Sequence, residues 1–204
     1  MKRGFLIALE GVDGSGKTTQ ARLLAAALKD RGLKAVMTRE PTHGPQGEKL
    51  RRYLAGPVRH LSAAAELALF TADRRDHVRQ VISPGLAAGL IVISDRYYYS
   101  SVAYQGALGL DPGAILALNQ TFAPPPDLVF ILTLPISQAI ARLCATPGRV
   151  RQVSEVADYL EKVAAIYAGL QGPRIHHLDA ALSQEAMHDH ILALTLKALS
   201  LLQK

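Results

Sequence analysis

The chain has 204 residues, 49% of them hydrophobic, with 23 Lys plus Arg against 17 Asp plus Glu and a single Cys. A domain of that length buries about 70% of its unfolded surface, so it requires neither disulfide staples nor a structural metal. Cys144 alone excludes an internal disulfide framework and a Cys-based zinc cluster. The formal charge of +6 favours anionic partners without distinguishing nucleic acid, membrane surface or a phosphorylated small molecule.

Phe5 to Leu9 supplies five apolar residues before Glu10, too few for the apolar core of a secretory signal. No run approaches the roughly 18 apolar residues of a membrane helix, and the expectation is a soluble cytoplasmic protein. Apolar runs of strand length recur at Phe5–Leu9, Leu33–Thr38, Leu90–Ser94, Leu128–Leu134 and Arg174–Leu178, with segments of helical spacing between them. This alternation predicts one α/β domain over residues 1–204, built on a central parallel sheet of about five strands. Thr18 to Arg31 reads as a helix stopped by Gly32, and Ser62 as the cap of a helix running toward Ile82 that Pro84 then breaks. Pro124 to Pro126 form a rigid entry to the fourth strand, and Glu155–Leu170 and Gln184–Leu202 read as helices.

The strongest signal is Gly11-Val12-Asp13-Gly14-Ser15-Gly16-Lys17-Thr18, which fits G-x-x-x-x-G-K-[ST] at every fixed position between a predicted strand and a predicted helix. Glycines let backbone N–H groups approach phosphate oxygens, and the helix N-terminus adds partial positive charge. Lys17 is placed to reach the β and γ phosphates, and Thr18 to offer its hydroxyl to Mg²⁺. Asp95 ends the third predicted strand at the ligand-binding edge of a parallel sheet, where it can hold the metal or its water, or else cap the next helix.

Arg39, Arg51, Arg74 and Arg96 are candidates for a second anion site, since a guanidinium fork matches phosphate bidentately. Phe70, Asp73, Arg74 and His77 share one helical stripe, at i, i+3, i+4 and i+7. An aromatic face beside a planar donor can stack a nucleobase and read its edge; a core Phe with a rim Arg is the competing reading. No basic run with interleaved aromatics is present, which argues against nucleic acid as the partner of the positive charge. His176-His177 and the His188/His190 pair lack metal-site spacing and read as solvated, and Cys144 reads as a quiet thiol.

In this order, Glu10 to Thr19, Thr38-Arg39-Glu40-Pro41, Leu69 to Arg74 with His77, Asp95-Arg96-Tyr97, Ser100-Ser101, Ala103 to Gly106 and Leu178-Asp179-Ala180 resemble the thymidylate kinases. That family passes the γ-phosphoryl group of ATP to dTMP, giving dTDP. The resemblance implies a P-loop nucleoside-monophosphate-kinase-like three-layer sandwich with a central five-stranded parallel sheet, a homodimer, and ATP with Mg²⁺ as cofactors. It implies that residues 11–18 hold ATP, that Thr18 and Asp95 serve the metal, and that Asp13 meets the acceptor 3′-hydroxyl or supports the metal. Glu40, Arg51 and Arg96 resemble the residues that fix the acceptor phosphate and its surroundings. Phe70 corresponds to the residue that stacks on thymine, Arg74 to a donor to its exocyclic oxygen, and Ser100, Ser101 and Gln105 to neighbours in the same region. Tyr104 resembles the Tyr that crowds the sugar 2′ position.

The lid expected at about 143–154 departs from the family's Asp-Arg-x-Glu pattern. Val150 stands where Asp is expected and Val153 replaces Glu, leaving Arg149 and Arg151 as the candidate catalytic side chains beside Lys17 and Arg96. Thr42-His43 replaces a usual Gly-Gly, which predicts a loop after Pro41 that is stiffer or differently shaped near the sugar. A nucleotide-binding regulatory protein with degraded lid catalysis, or a kinase for another nucleoside or nucleotide, are the alternatives.

Overall fold

The computed structural model describes residues 3–56, 60–145 and 157–201. Strands β1 (Phe5–Gly11), β2 (Ala35–Arg39), β3 (Ile91–Asp95), β4 (Leu128–Thr133) and β5 (Ile175–Asp179) form one parallel sheet in the order β2-β3-β1-β4-β5. Every neighbouring pair is parallel: β1 sits between β3 and β4, with Leu9 opposite Asp95 and Gly11 opposite Leu132. β1 is buried along its whole length, as a central strand covered on both faces must be. Helices pack on both faces and divide the core in two. Ile7, Leu9, Leu24 and Leu28 belong to one apolar cluster, and Leu6, Ala8, Ile82 and Tyr97 to the other.

Helix α1 (Lys17–Asp30) follows the phosphate loop and ends at Gly32, whose φ of 74° only glycine adopts readily. α2 (Pro45–Leu54) starts with Pro in its first turn, and α3 (Ala63–His77) is capped by Ser62, whose hydroxyl accepts from the Ala65 N–H. The expected break at Pro84 does not occur. α3 passes through a wide turn at Val78–Ile82, in which the Ser83 N–H reaches back five residues to the Val78 carbonyl, and re-forms as α4 (Ser83–Ala87). The wide turn shifts the hydrogen-bond ladder by one residue, so proline's missing donor falls in the first turn of a new helix.

α5 (Tyr98–Gly106) and α6 (Pro112–Gln120) follow β3, and α7 (Ile136–Cys144) follows β4. α8 (Ala157–Gly169) precedes β5, and α9 (Gln184–Leu201) packs on α1. His190 on α9 is exposed, as expected of a solvated residue. His188, by contrast, is half-buried with its Nδ1 enclosed and without a hydrogen-bond partner, because the α1–α9 packing reaches that side of the helix. Among the described residues no helix is long and apolar enough to cross a membrane.

Candidate functional site

β1 delivers the chain to the carboxyl edge of the sheet, and the phosphate loop turns there into α1. Gly14 has φ of 83°, and a Cβ on it would stand 2.7 Å from the Ala139 carbonyl oxygen, so the loop can take this path only with glycine. Ser15 Oγ is enclosed in the loop without a hydrogen-bond partner and would stand 3.1 Å from a Cβ on Gly11, a second position where the loop is closed to side chains. Lys17 Nζ bends back to donate to the Val12 carbonyl at 2.7 Å. Burial, with Arg96 adding to it, lowers the Lys17 pKa to about 8, which leaves the side chain mostly charged at neutral pH. Thr18 Oγ1 donates to Asp95 Oδ2 at 2.5 Å, so the two expected metal residues meet across β1 and β3. This hydroxyl and carboxylate are hard oxygen donors beside a phosphate cradle, a set that fits Mg²⁺ carrying its own waters. No cluster of three or more His, Cys, Asp or Glu able to hold a metal exists among the described residues.

Arg96 follows β3 and carries φ of 74°, unusual for any residue with a Cβ. Side-chain bonds account for its being held there. Nη2 donates to Asp13 Oδ1 at 2.6 Å, and Nη1 to Ser100 Oγ at 3.0 Å and to the Gly11 carbonyl at 3.3 Å. The Tyr104 ring lies 5.2 Å from the guanidinium carbon. Asp13, Arg96, Ser100 and Tyr104 are thus one cluster at the mouth of the phosphate loop.

Beneath it lies Glu10, fully buried at the end of β1. Its Oε1 accepts from the Tyr97 N–H at 2.8 Å, and its Oε2 from Ser100 Oγ at 2.6 Å and Tyr167 Oη at 3.1 Å. Burial raises its pKa to about 7, against the pull of Ser100 and Arg96. The sequence reading assigns neither Glu10 nor Tyr167, from α8, a role in the site.

The α3 stripe faces α5. Arg74 is 1% exposed and makes five hydrogen bonds: Nε and Nη2 to Glu40 Oε2 at 2.9 and 2.7 Å, Nη1 to Ser101 Oγ and Asn119 Oδ1, and Nη2 to the Tyr97 carbonyl. Its five N–H groups are therefore engaged inside the protein. Glu40 directs both oxygens to side chains, Oε2 to Arg74 and Oε1 to His77 Nδ1 at 2.9 Å, and reaches no open cleft. Burial would raise the Glu40 pKa, but Arg74 and His77 outweigh it and hold the carboxyl below its ordinary value. Arg51 Nη1 donates to the carbonyls of Pro41 and Thr42, bracing the loop after a cis Glu40–Pro41 peptide. The Thr42 N–H and hydroxyl both donate to Asp73, at 2.9 and 2.5 Å, the second a bond that no glycine can make, and together they tie the loop to α3.

Arg39 is exposed at the end of β2 and borders a cleft of about 450 Å³ with Thr42, His43, His77 and Gln80. Phe70 is half-buried on α3, and Gln105, on α5, donates from Nε2 to Glu66 Oε1 at 2.8 Å. Arg149 and Arg151 lie outside the described residues.

Residues 9–191 match the family model described as thymidylate kinase. The chain is 43% identical over 189 residues to a thymidylate kinase of Desulfotalea psychrophila, covering 93% of each chain. It is 46% identical over 197 residues to one of Xanthomonas campestris pv. campestris, covering 97% of this chain and 85% of the relative. A third, from Brachyspira hyodysenteriae, is 42% identical over 190 residues and 92% covered. A match that spans the phosphate loop, the Arg96 turn and both faces of the α3–α5 seam identifies the chain as a member of the thymidylate kinase family.

Proposed function

We propose that the chain transfers the γ-phosphoryl group of ATP to dTMP, giving dTDP, with Mg²⁺. One observation carries this reading: Arg96 joins the two halves of the site, bonded on one side to Gly11 and Asp13 of the phosphate loop and on the other to Ser100 of α5. A cation fixed between a nucleotide loop and a second pocket suits an enzyme that brings two phosphates together.

The residues divide the work by position. Residues 11–16 cradle the donor phosphates with backbone N–H groups, and Lys17, released from the Val12 carbonyl, swings to the β and γ oxygens. Thr18 and Asp95 hold the cation, which when bound neutralises charge spread over the transferring group. Arg96 receives the acceptor phosphate, with Asp13 setting its angle and Tyr104 closing the space beside the sugar. The acceptor is largely dianionic at neutral pH because its second pKa is about 6, so no side chain needs to remove a proton. Catalysis is then positioning and charge stabilisation.

Phe70 supplies the stacking face, and Ser101 and Gln105 line the base edge with Ser100 behind Arg96. Arg74, its donors engaged, acts through the Ser101 hydroxyl it orients, or by sharing a donor with the base oxygen. Glu40 and Arg51 shape the acceptor pocket by holding Arg74 and the loop after Pro41. Arg149 and Arg151, on a lid at about 143–154 of a single domain, are the candidates to complete the charge around the donor. The resemblance also supports a homodimer, with α3 near the contact, working in the cytoplasm; sedimentation of the purified chain tests the first and cell fractionation the second.

The test is ATP- and Mg²⁺-dependent phosphorylation of dTMP beside dUMP, ribothymidine monophosphate, dCMP and dGMP, repeated with Lys17→Ala. Conversion of dTMP that is lost in the variant supports the reading. Saturable binding of dTMP and ATP without conversion overturns it in favour of a regulatory nucleotide-binding protein.

A further inference from the structure

Helices α3 and α5 are joined by two polar rungs. Arg74 donates to Ser101 Oγ at 3.0 Å, and Gln105 Nε2 donates to Glu66 Oε1 at 2.8 Å. Glu66, Phe70 and Arg74 stand at i, i+4 and i+8 on α3, and Ser101 and Gln105 at i and i+4 on α5, so the rungs lie one above the other on facing stripes. Phe70 lies one turn from each rung and is half-buried, whereas all four rung residues are closed off, with Glu66, Arg74, Ser101 and Gln105 each 1% exposed.

The Glu66 rung has a feature the other lacks. Glu66 accepts on both oxygens, from Gln105 and from Tyr53 Oη at 3.0 Å on α2. A carboxylate has only acceptors to offer, so it fixes which end of the Gln105 amide faces it: the NH₂ turns to Glu66 and Oε1 turns away. Oε1 is enclosed in the seam and has no hydrogen-bond partner, an acceptor left unmet on the α5 side. Ser101 Oγ accepts from Arg74, so its own O–H is directed elsewhere. Along the seam the α5 edge thus presents a donor at Ser101 and an acceptor at Gln105.

We propose that Glu66 is a positioning residue that sets base choice: by holding the Gln105 amide in one orientation, it presents an acceptor to a base ring N–H and rejects a ring nitrogen that carries only a lone pair. Thymine and uracil offer a carbonyl oxygen next to a ring N–H, which matches donor then acceptor. Cytosine offers an amino group next to an acceptor nitrogen and mismatches both. This inference rests on the proposed transfer to dTMP and concerns a residue outside that machinery. Removing the carboxylate leaves Gln105 free to turn its amide, after which cytosine can be met with an N–H.

The experiment measures kcat/KM for dTMP and for dCMP with the full-length enzyme and Glu66→Gln. A glutamine at this position can face Gln105 with either its oxygen or its nitrogen, so the dTMP preference is expected to fall about tenfold or more, the size of one buried hydrogen bond made or lost. The KM for ATP should hold. An unchanged preference in a folded variant overturns the proposal, whereas a wild-type enzyme that fails to phosphorylate dTMP would instead overturn the functional reading beneath it. Tyr53→Phe removes a different bond to Glu66 and leaves the rung, so its preference should match wild type; an equal loss there assigns the effect to packing and refutes the orientation argument. Should Glu66→Gln not fold, the wild-type enzyme still decides. dTMP methylated at N3 keeps the stacking face and both carbonyls but lacks the N–H, and should bind at least about tenfold more weakly than dTMP. Equal binding overturns the proposal.

Discussion

Glu10→Gln should change how stability depends on pH. The wild-type carboxyl is fully buried and its pKa is raised from 4.5 to about 7, so between those values the folded protein holds a proton that the unfolded chain releases. Stability falls with pH wherever the folded state binds more protons. At about 1.4 kcal/mol per pH unit, the full window amounts to about 3 kcal/mol, absent below the unfolded pKa and complete above the folded one. Glutamine keeps the shape and cannot ionise. Its oxygen still accepts from the Tyr97 N–H, and the Ser100 and Tyr167 hydroxyls can turn to accept from its NH₂. Urea unfolding of both proteins at pH 5 and pH 8 isolates the effect. The variant should gain on wild type by about 2–3 kcal/mol across that interval, or about 1 M in midpoint for a slope near 2 kcal/mol/M. A difference that stays constant with pH, or that moves in favour of wild type as pH rises, would refute the assignment of a neutral-range proton to this site.

Two further outcomes follow from the same geometry. Glu40→Gln removes the counter-charge of a buried guanidinium, and should destabilise by about 3–5 kcal/mol, read as a lowered urea midpoint at pH 7. Because the wild-type Glu40 pKa lies below its ordinary value, that contribution is present above the unfolded pKa and is lost as pH falls through the folded one, so the gap between variant and wild type should close in acid. Thr18→Val deletes the hydroxyl 2.5 Å from Asp95 without adding bulk, and should raise the Mg²⁺ concentration for half-maximal rate several-fold while leaving dTMP binding in place.

The sheet was legible because each central strand is a short apolar run between helical segments, and its edges differ from expectation by a residue or two, as at β2, which starts at Ala35 rather than Leu33. The phosphate loop and the Thr18–Asp95 pair were legible for a different reason: their spacing is dictated by a ligand, and the ligand's shape does not vary. Pro84 departs from the sequence expectation because proline's missing donor is disruptive only where the ladder requires it, and the wide turn at Val78–Ile82 moves the ladder on. Glu66 lay within reach of the sequence, since it extends the Phe70–Arg74 stripe back by one turn. Asn119 did not, because nothing near it in the chain marks it as a partner for a guanidinium 45 positions away.

Arg74 shows where such reasoning stops. Its place on the stripe beside Phe70 marks it for a base pocket, and a stripe records which side chains share a face. A guanidinium that is 1% exposed must also have its charge balanced and its donors met, and those partners come from the turn after β2, from α5 and from α6 by way of Glu40, Ser101 and Asn119. Glu40 in turn needs His77 on its second oxygen, and His77 holds Thr38 at 2.7 Å on the far nitrogen. The chain of dependence runs from the base pocket to the edge strand through four side chains, two from α3 and two from the end of β2 and the residue after it, more than thirty positions away. Periodicity identifies residues that a ligand requires; only the folded chain identifies what those residues require of each other.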